Sequence, residues 1–134
     1  MDKKILVTGG AGYIGSHVVR QLSEAGNDVI VYDNCSTGCA DSVIDGELVT
    51  GDLADTELLH NILSQHQFSA VLHFAASLIV PESVARPLDY YSNNTRNTLN
   101  LLQCSHRTGI NKIIFSSTAA VYGEPEKLPE SEST

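Results

Sequence analysis

The sequence is poor in cysteine, tryptophan and basic residues. Its 134 residues include three cysteines, no tryptophan and eight Lys and Arg against sixteen Asp and Glu, for a net charge of −8. The odd cysteine count (Cys35, Cys39 and Cys104) argues against a disulfide-built domain and fits a reducing compartment. Cys35 and Cys39 have no second Cys or His pair at ligand spacing, so no metal is predicted. The missing basic patch argues against a nucleic-acid partner.

Long apolar runs are also missing. The apolar stretch before Gly9 is too short for a signal peptide, and no segment approaches the roughly 18 residues of a membrane helix. We therefore expect a cytoplasmic protein with no membrane partner. The chain is 42% apolar and 18% charged, which is the composition of one globular domain.

Short apolar runs alternate with stretches of helical periodicity. Strands are predicted at residues 3–8, 28–33, 47–50, 69–75 and 112–117, and helices at 12–25, after an N-cap at Asp55, and at 88 to about 108. This alternation predicts an α/β fold, a Rossmann-type doubly wound parallel sheet in the order 3-2-1-4-5. We expect this domain over residues 1–123, followed by an irregular acidic tail over residues 124–134.

A glycine-rich turn joins the first predicted strand to the first helix. Residues 8–15 read TGGAGYIG, with Gly9, Gly12 and Gly15 at the spacing of a dinucleotide-binding turn. Glycine allows the tight turn and the approach of a pyrophosphate to the helix N-terminus. Glycines that merely form a turn are the alternative interpretation.

Two aspartates follow the next strands. Asp33 lies 18 positions after Gly15, where a carboxylate can accept hydrogen bonds from the adenine ribose and repel a 2′-phosphate. Because no Lys or Arg lies between residues 34 and 55, NAD is favoured over NADP. Asp52 can receive the adenine amino group, and the small Ala75 and Ala76 let a cofactor lie against the backbone. Ordinary turn chemistry is the alternative for each.

Seven motifs in order carry a family resemblance. They are VTGGAGYIGSH at 7–17, YDN at 32–34, GDL at 51–53, HFAA at 73–76, VPESV at 80–84, PLDYYSNN at 87–94 and FSSTAAVYG at 115–123. Through them the chain resembles the extended short-chain dehydrogenase/reductases, and within that family the UDP-glucose (UDP-galactose) 4-epimerases.

The resemblance implies an NAD site and a UDP-sugar substrate. The implied cofactor residues are Gly9, Gly12, Tyr13, Ile14, Gly15, Asp33, Asn34, Cys35, Ser36, Thr37, Gly38, Asp52, Leu53, Phe74, Ala75, Ala76 and Asn94. Thr118 matches the active-site Ser/Thr, whose hydroxyl can share a proton with the sugar C4 hydroxyl, and Ala119 and Ala120 join it in the substrate site. A hydroxyl that bonds its own backbone is the alternative for Thr118.

Residues 119 and 120 also bear on the subfamily. Sugar-nucleotide 4,6-dehydratases carry an Asp-Glu acid pair directly after the Thr, and here both positions are alanine, which favours an epimerase. Leu78 and Cys35 depart from the family pattern at positions where main-chain contacts dominate, so no side-chain role is assigned to either.

The Tyr-x-x-x-Lys pair that the family's chemistry requires is missing. None of the five tyrosines has a lysine four residues later. We therefore expect an N-terminal part of a longer enzyme that is inactive alone, with self-association through the fifth-strand edge or homodimerisation through the long helix. Another nucleotide-sugar epimerase or reductase, or a non-catalytic NAD-binding module, is the alternative.

Overall fold

The fold is a five-stranded parallel sheet. The computed structural model describes residues 3–133, so Met1, Asp2 and Thr134, at the ends of the two predicted regions, lie outside the described residues. The strands are β1 (Lys4–Thr8), β2 (Asp28–Asp33), β3 (Glu47–Thr50), β4 (Phe68–His73) and β5 (Ile113–Phe115). Their order is β3-β2-β1-β4-β5 with every neighbouring pair parallel, as predicted.

Helices connect the strands on both faces of the sheet. They are α1 (Tyr13–Glu24), α2 (Thr56–Gln65), α3 (Val80–Ala85), α4 (Pro87–Tyr90) and α5 (Asn97–Arg107), with a π-helical turn at Tyr91–Arg96 between α4 and α5. The predicted N-cap of α2 is confirmed, because the Asp55 carboxylate accepts a hydrogen bond of 3.0 Å from the Leu58 N–H.

Two apolar layers hold the sheet between the helices. On one face Leu6, Ile30 and Val71 pack with Leu59 of α2 and Leu101 of α5. The opposite face forms a separate cluster, whose buried members are Val7, Val19, Val29, Val31 and Leu72. Since neighbouring strand residues point to opposite faces, the central strands are apolar throughout, which is typical of a doubly wound sheet.

The region before β5 contains two short helices, and Pro81 lies in the first turn of α3. The predicted long helix is continuous over α4, the π turn and α5, but Leu99 and Leu102 are 51% and 44% exposed. Leu101 and Cys104 are the residues of α5 that pack toward α2. The helix therefore buries one side and leaves an apolar stripe on the other.

No helix within residues 3–133 is long and apolar enough to cross a membrane. After a single 3₁₀ turn at Ala119–Tyr122, the described part of the tail forms neither helix nor strand.

Candidate cofactor site

A cleft of about 440 Å³ lies at the carboxyl ends of the strands. This is the edge where open α/β sheets bind ligands, and the strand order reverses there between β1 and β4. The predicted residues that line it are Gly9, Gly12, Tyr13, Ile14, Gly15, Asp33, Asn34, Ser36, Thr37, Gly38, Asp52, Leu53, Phe74, Ala75, Ala76 and Ala119. Cys35, Asn94, Thr118 and Ala120 are close in sequence to lining residues but do not line the cleft themselves.

The glycine turn brings β1, α1 and β4 into close contact. A Cβ on Gly15 would stand 2.2 Å from the Gly9 carbonyl oxygen, and one on Gly9, whose φ is +71°, would stand 2.6 Å from the Ala75 nitrogen. Gly12 is the N-cap of α1 and offers no side-chain cap, and the first turn of that helix has no acidic residue. The N–H groups at the start of α1 are thus available to an anion.

The Asp33 carboxylate is held by the main chain on both oxygens. One oxygen accepts from the Ala11 N–H at 2.9 Å and the other from the Cys35 N–H at 2.8 Å. Cys35 itself adopts a positive φ of 56°. Because a carboxylate has about four acceptor positions, one position on each oxygen stays available to ligand hydroxyls.

Asp52 is oriented by its neighbours in the same manner. Its carboxylate accepts from the Ala54 N–H at 2.8 Å and from the Asn34 side-chain amide at 3.1 Å. The hydroxyl of buried Tyr32 donates to the Asp52 carbonyl oxygen at 2.7 Å. Burial, with help from nearby carboxylates, raises the pKa of Tyr32 to about 12, so the phenol keeps its proton and this bond.

His73 is a buried polar residue on the cleft floor that the sequence reasoning missed as a site residue. Its Nδ1 is bonded to the Thr8 hydroxyl and its Nε2 lies 3.0 Å from the Thr98 hydroxyl, which itself donates to the Asn94 carbonyl at 2.6 Å. The Thr98 hydrogen is therefore used, so His73 carries its proton on Nε2 and accepts from Thr8 on Nδ1. Burial lowers the pKa of His73, which keeps the ring neutral.

Comparison with known proteins agrees with this geometry. The sequence model of the NAD dependent epimerase/dehydratase family matches residues 5–134. The chain belongs to this family. It is 52% identical to the UDP-glucose 4-epimerase of Azospirillum brasilense over 127 residues, which are 94% of this chain and 36% of the relative. The Lactobacillus helveticus UDP-glucose 4-epimerase is 48% identical over 98% of this chain and 40% of its own length.

Solved structures show the same relation. The UDP-glucose 4-epimerase of Brucella ovis in complex with NAD matches with a TM-score of 0.88 and 44% identity, over 98% of this chain and 40% of that one. The chain thus spans about two fifths of the length of these relatives.

Three asparagines cluster on the family's PLDYYSNN motif and just after it. Asn94 uses both ends of its amide on the main chain of Ser77, accepting from the N–H at 2.8 Å and donating to the carbonyl at 2.9 Å. Asn93 donates to the Ser77 hydroxyl at 2.7 Å and, like Asn97, lines the cleft. The structure therefore brings Asn93 and Asn97 to the cleft, whereas Asn94 fastens the segment that follows β4.

The loop after β5 holds the predicted catalytic position. The Thr118 hydroxyl oxygen accepts from the Ala120 N–H at 3.2 Å and caps the 3₁₀ turn. Thr118 is exposed, and the residues around it that line the cleft are Phe115, Ser116, Ser117 and Ala119. In this structure Thr118 makes the local backbone contact that was its alternative interpretation.

Several lining residues escaped the sequence reasoning: Tyr32, Gly51, His73, Ser77, Leu78, Asn93, Asn97, Phe115, Ser116 and Ser117. Most of them are directly next to a predicted site residue in sequence, so the family motifs could have indicated them. Within residues 3–133, no three Cys, His, Asp or Glu are arranged to hold a metal ion.

Proposed function

We propose that this chain is the NAD-binding part of a UDP-glucose 4-epimerase. The anchored Asp33 carboxylate beside the uncapped N-terminus of α1 is the observation that carries the proposal. The names of the relatives support it, and the Brucella ovis protein was solved with NAD.

Each part of a dinucleotide has a matching group in the cleft. The first N–H groups of α1 suit the pyrophosphate, the free acceptor positions of Asp33 suit the adenine ribose, and Asp52 suits the adenine amino group. A 2′-phosphate would meet the Asp33 charge with no Lys or Arg between residues 34 and 55 to offset it. The cofactor of this proposal is therefore NAD and not NADP.

The proposed chemistry is inversion at C4 of a UDP-hexose. When bound, NAD supplies reversible hydride acceptance from that carbon. Thr118 is the residue of this chain that we assign to the sugar C4 hydroxyl, with which its own hydroxyl shares a proton. Ala119 and Ala120 give no acid pair for eliminating water. Since none of the five tyrosines is followed by a lysine at the fourth position, we propose that these residues bind NAD without interconverting sugars.

The assembly and location complete the proposal. Tyr91, Leu99 and Leu102 form an exposed stripe on the long helix, here called the helix stripe, which suits a homodimer contact. The exposed edge of β5, with Ile114 and Phe115, is the second candidate surface. We propose a cytoplasmic location.

Calorimetry of the purified chain with NAD and NADP tests the binding, and conversion of UDP-galactose to UDP-glucose tests the activity. We expect NAD to bind at least about tenfold more tightly than NADP, because the Asp33 charge acts against the second ligand. We expect no conversion of UDP-galactose. Equal affinities, or no affinity for NAD, contradict the cofactor assignment, and turnover by this chain contradicts the proposed need for a Tyr-Lys pair.

A further inference from the structure

Asn97 is a buried amide on the wall of the cleft. It is 7% exposed and lines the cleft at the first residue of α5. Its side-chain nitrogen donates to the Asn93 side-chain oxygen at 3.3 Å. One N–H and the whole carbonyl oxygen of Asn97 are left over after this contact.

The orientation of this amide follows from the Ser77 main chain. The Ser77 N–H can only donate and its carbonyl can only accept, so together they fix which end of Asn94 is oxygen. The Asn94 oxygen faces the Asn93 nitrogen at 3.4 Å, which in turn makes the other end of Asn93 an acceptor. Asn97 must then present its nitrogen to Asn93.

The Asn97 oxygen is left as an acceptor on the cleft wall. Within residues 3–133 the Asn97 oxygen has no hydrogen-bond partner. It is not fully enclosed either, because the side-chain polar atom in this part of the chain that is both fully enclosed and without a partner is Ser105 Oγ. The Asn97 oxygen is therefore reachable from the cleft. Leaving such an oxygen without a partner in a closed site is unfavourable, so a bound ligand needs to offer it a donor.

We propose that the Asn97 side-chain oxygen accepts a hydrogen bond from a hydroxyl of the ribose that carries nicotinamide. This inference rests on the proposed binding of NAD. Asp33 and Asp52, after β2 and β3, serve the adenosine half of the ligand. Asn97 is tied instead to Ser77, which follows β4, through Asn93, and it adjoins Thr98, the partner of His73. The hydroxyl donors that are available to the Asn97 oxygen therefore belong to the second half of the dinucleotide.

Three ligands that share the adenosine half test this assignment. ADP lacks the second ribose, ADP-ribose contains it, and NAD adds the nicotinamide ring. For Asn97→Ala we expect the affinities for NAD and ADP-ribose to fall about threefold to tenfold, and the affinity for ADP to stay within about twofold of wild type. Asn97→Ser is the second variant, should the alanine variant fold poorly, and it has the same expected pattern. Asn61→Ala, an exposed asparagine on α2, is the matched control and should change none of the three affinities.

Each other pattern overturns the inference in a distinct manner. A loss for NAD alone assigns the oxygen to the nicotinamide amide, and an equal loss for ADP means that Asn97 only supports the cleft. Unchanged affinities mean that Asn97 does not meet the ligand. If wild type binds neither NAD nor ADP-ribose, the proposed function fails together with the inference, whereas a change limited to the variants leaves the proposed function intact.

Discussion

The two sides of the cleft are built differently. After β2 and β3, the carboxylates of Asp33 and Asp52 are bonded to the main chain and lie above a buried core. At the end of β5 and in the segments after β4 and β5, the chain exposes large apolar side chains, with Leu78 at 82%, Phe115 at 59% and Val121 at 64%. The side with Asp33 and Asp52, which we propose to bind adenosine and here call the adenosine side, is therefore organised by its own contacts. The second side presents a surface suited to further contacts.

The difference coincides with the proposed division between adenosine recognition and chemistry. The adenosine side is formed by residues within the first 55 of the chain, through short contacts between neighbouring loops. The second side is built from later parts of the chain, through contacts such as those of Ser77 with Asn94 and of His73 with Thr98. The effects of substitutions in the two regions should therefore differ in kind as well as in size.

The largest loss of stability is expected at the glycine turn, where the two sides of the cleft meet. Gly15→Ala would bring a methyl group to 2.2 Å from the Gly9 carbonyl, so α1 and the turn must separate. We expect the free energy of unfolding to fall by about 3 kcal/mol in urea denaturation, together with a loss of NAD binding.

Gly26→Ala is the control for this variant. Gly26 has a φ of +87°, and a Cβ added there would meet no atom within 4 Å, so only backbone strain of about 1–2 kcal/mol is expected. Equal losses in the two variants would show that the close approach at Gly15 has no special cost.

The next largest effect is expected for Asp33→Ala, as a loss of NAD affinity. The variant removes the acceptor shared by the Ala11 and Cys35 N–H groups, and hydrogen bonds to a charged partner are worth about 1.5–3 kcal/mol each. We expect calorimetry to show NAD affinity reduced about 100-fold and NADP affinity reduced much less. Asp41→Ala, an exposed aspartate of the same connection, should leave both unchanged. A variant that still prefers NAD as strongly as wild type would contradict the role of Asp33.

His73, on the second side of the cleft, should make the free energy of unfolding depend on pH. Burial lowers its folded-state pKa below the unfolded value of about 6.5, so the unfolded chain takes up a proton that the folded chain excludes. Stability should then fall as the pH drops through about 6.5, by at most about 1.4 kcal/mol for each further pH unit above the folded pKa. Urea denaturation between pH 7.5 and 5.5 measures this slope.

His73→Gln should be less stable at pH 7.5 and should lose this slope. His106→Gln, at an exposed position near the end of α5, controls for the replacement of a histidine. If the slope persists in His73→Gln, its source lies elsewhere in the chain.

The smallest effect is expected for substitutions at the β5 edge, and it concerns self-association. Its three residues can pair few backbone groups, although Ile114 and Phe115 are each 59% exposed. We expect the wild-type chain to self-associate in sedimentation velocity at high concentration, and Ile114→Lys to shift it toward monomer. Leu102→Lys changes the helix stripe instead, so a shift in that variant alone assigns the contact to the long helix. A wild type that remains monomeric would contradict both surfaces.

The sequence was most informative where structure is local. The bounds of β2 and β3 and the cap at Asp55 follow from apolar runs and turn residues close to one another in the chain, and both agree with the structure. Strand order followed from chain connectivity, because right-handed crossovers leave few choices for alternating strands and helices.

Prediction was weaker along the helix that approaches the cleft. Apolar periodicity alone would turn Leu99 inward, yet buried contacts with α2 favour Leu101 and Cys104, and the helix buries Asn97 as well. The motif points to Asn94, although Asn93 and Asn97 line the cleft on either side of the end of the π turn. No local pattern in the sequence marks a π turn, and the His73 network appears only once β1, β4 and α5 are assembled.

The π turn sets the rotational phase of the helix. It closes i→i+5 contacts and so accommodates one more residue per turn than the α-helix on either side. Each residue of an α-helix advances the side chains by about 100°. Removing residue 95 or 96, between Asn94 and α5, would therefore swing Asn93 and Asn94 away from Ser77 while leaving the packing of α5 on α2 unchanged. The number of residues in this segment thus sets the direction of its side chains, beside the contacts that Asn93 and Asn94 make with Ser77.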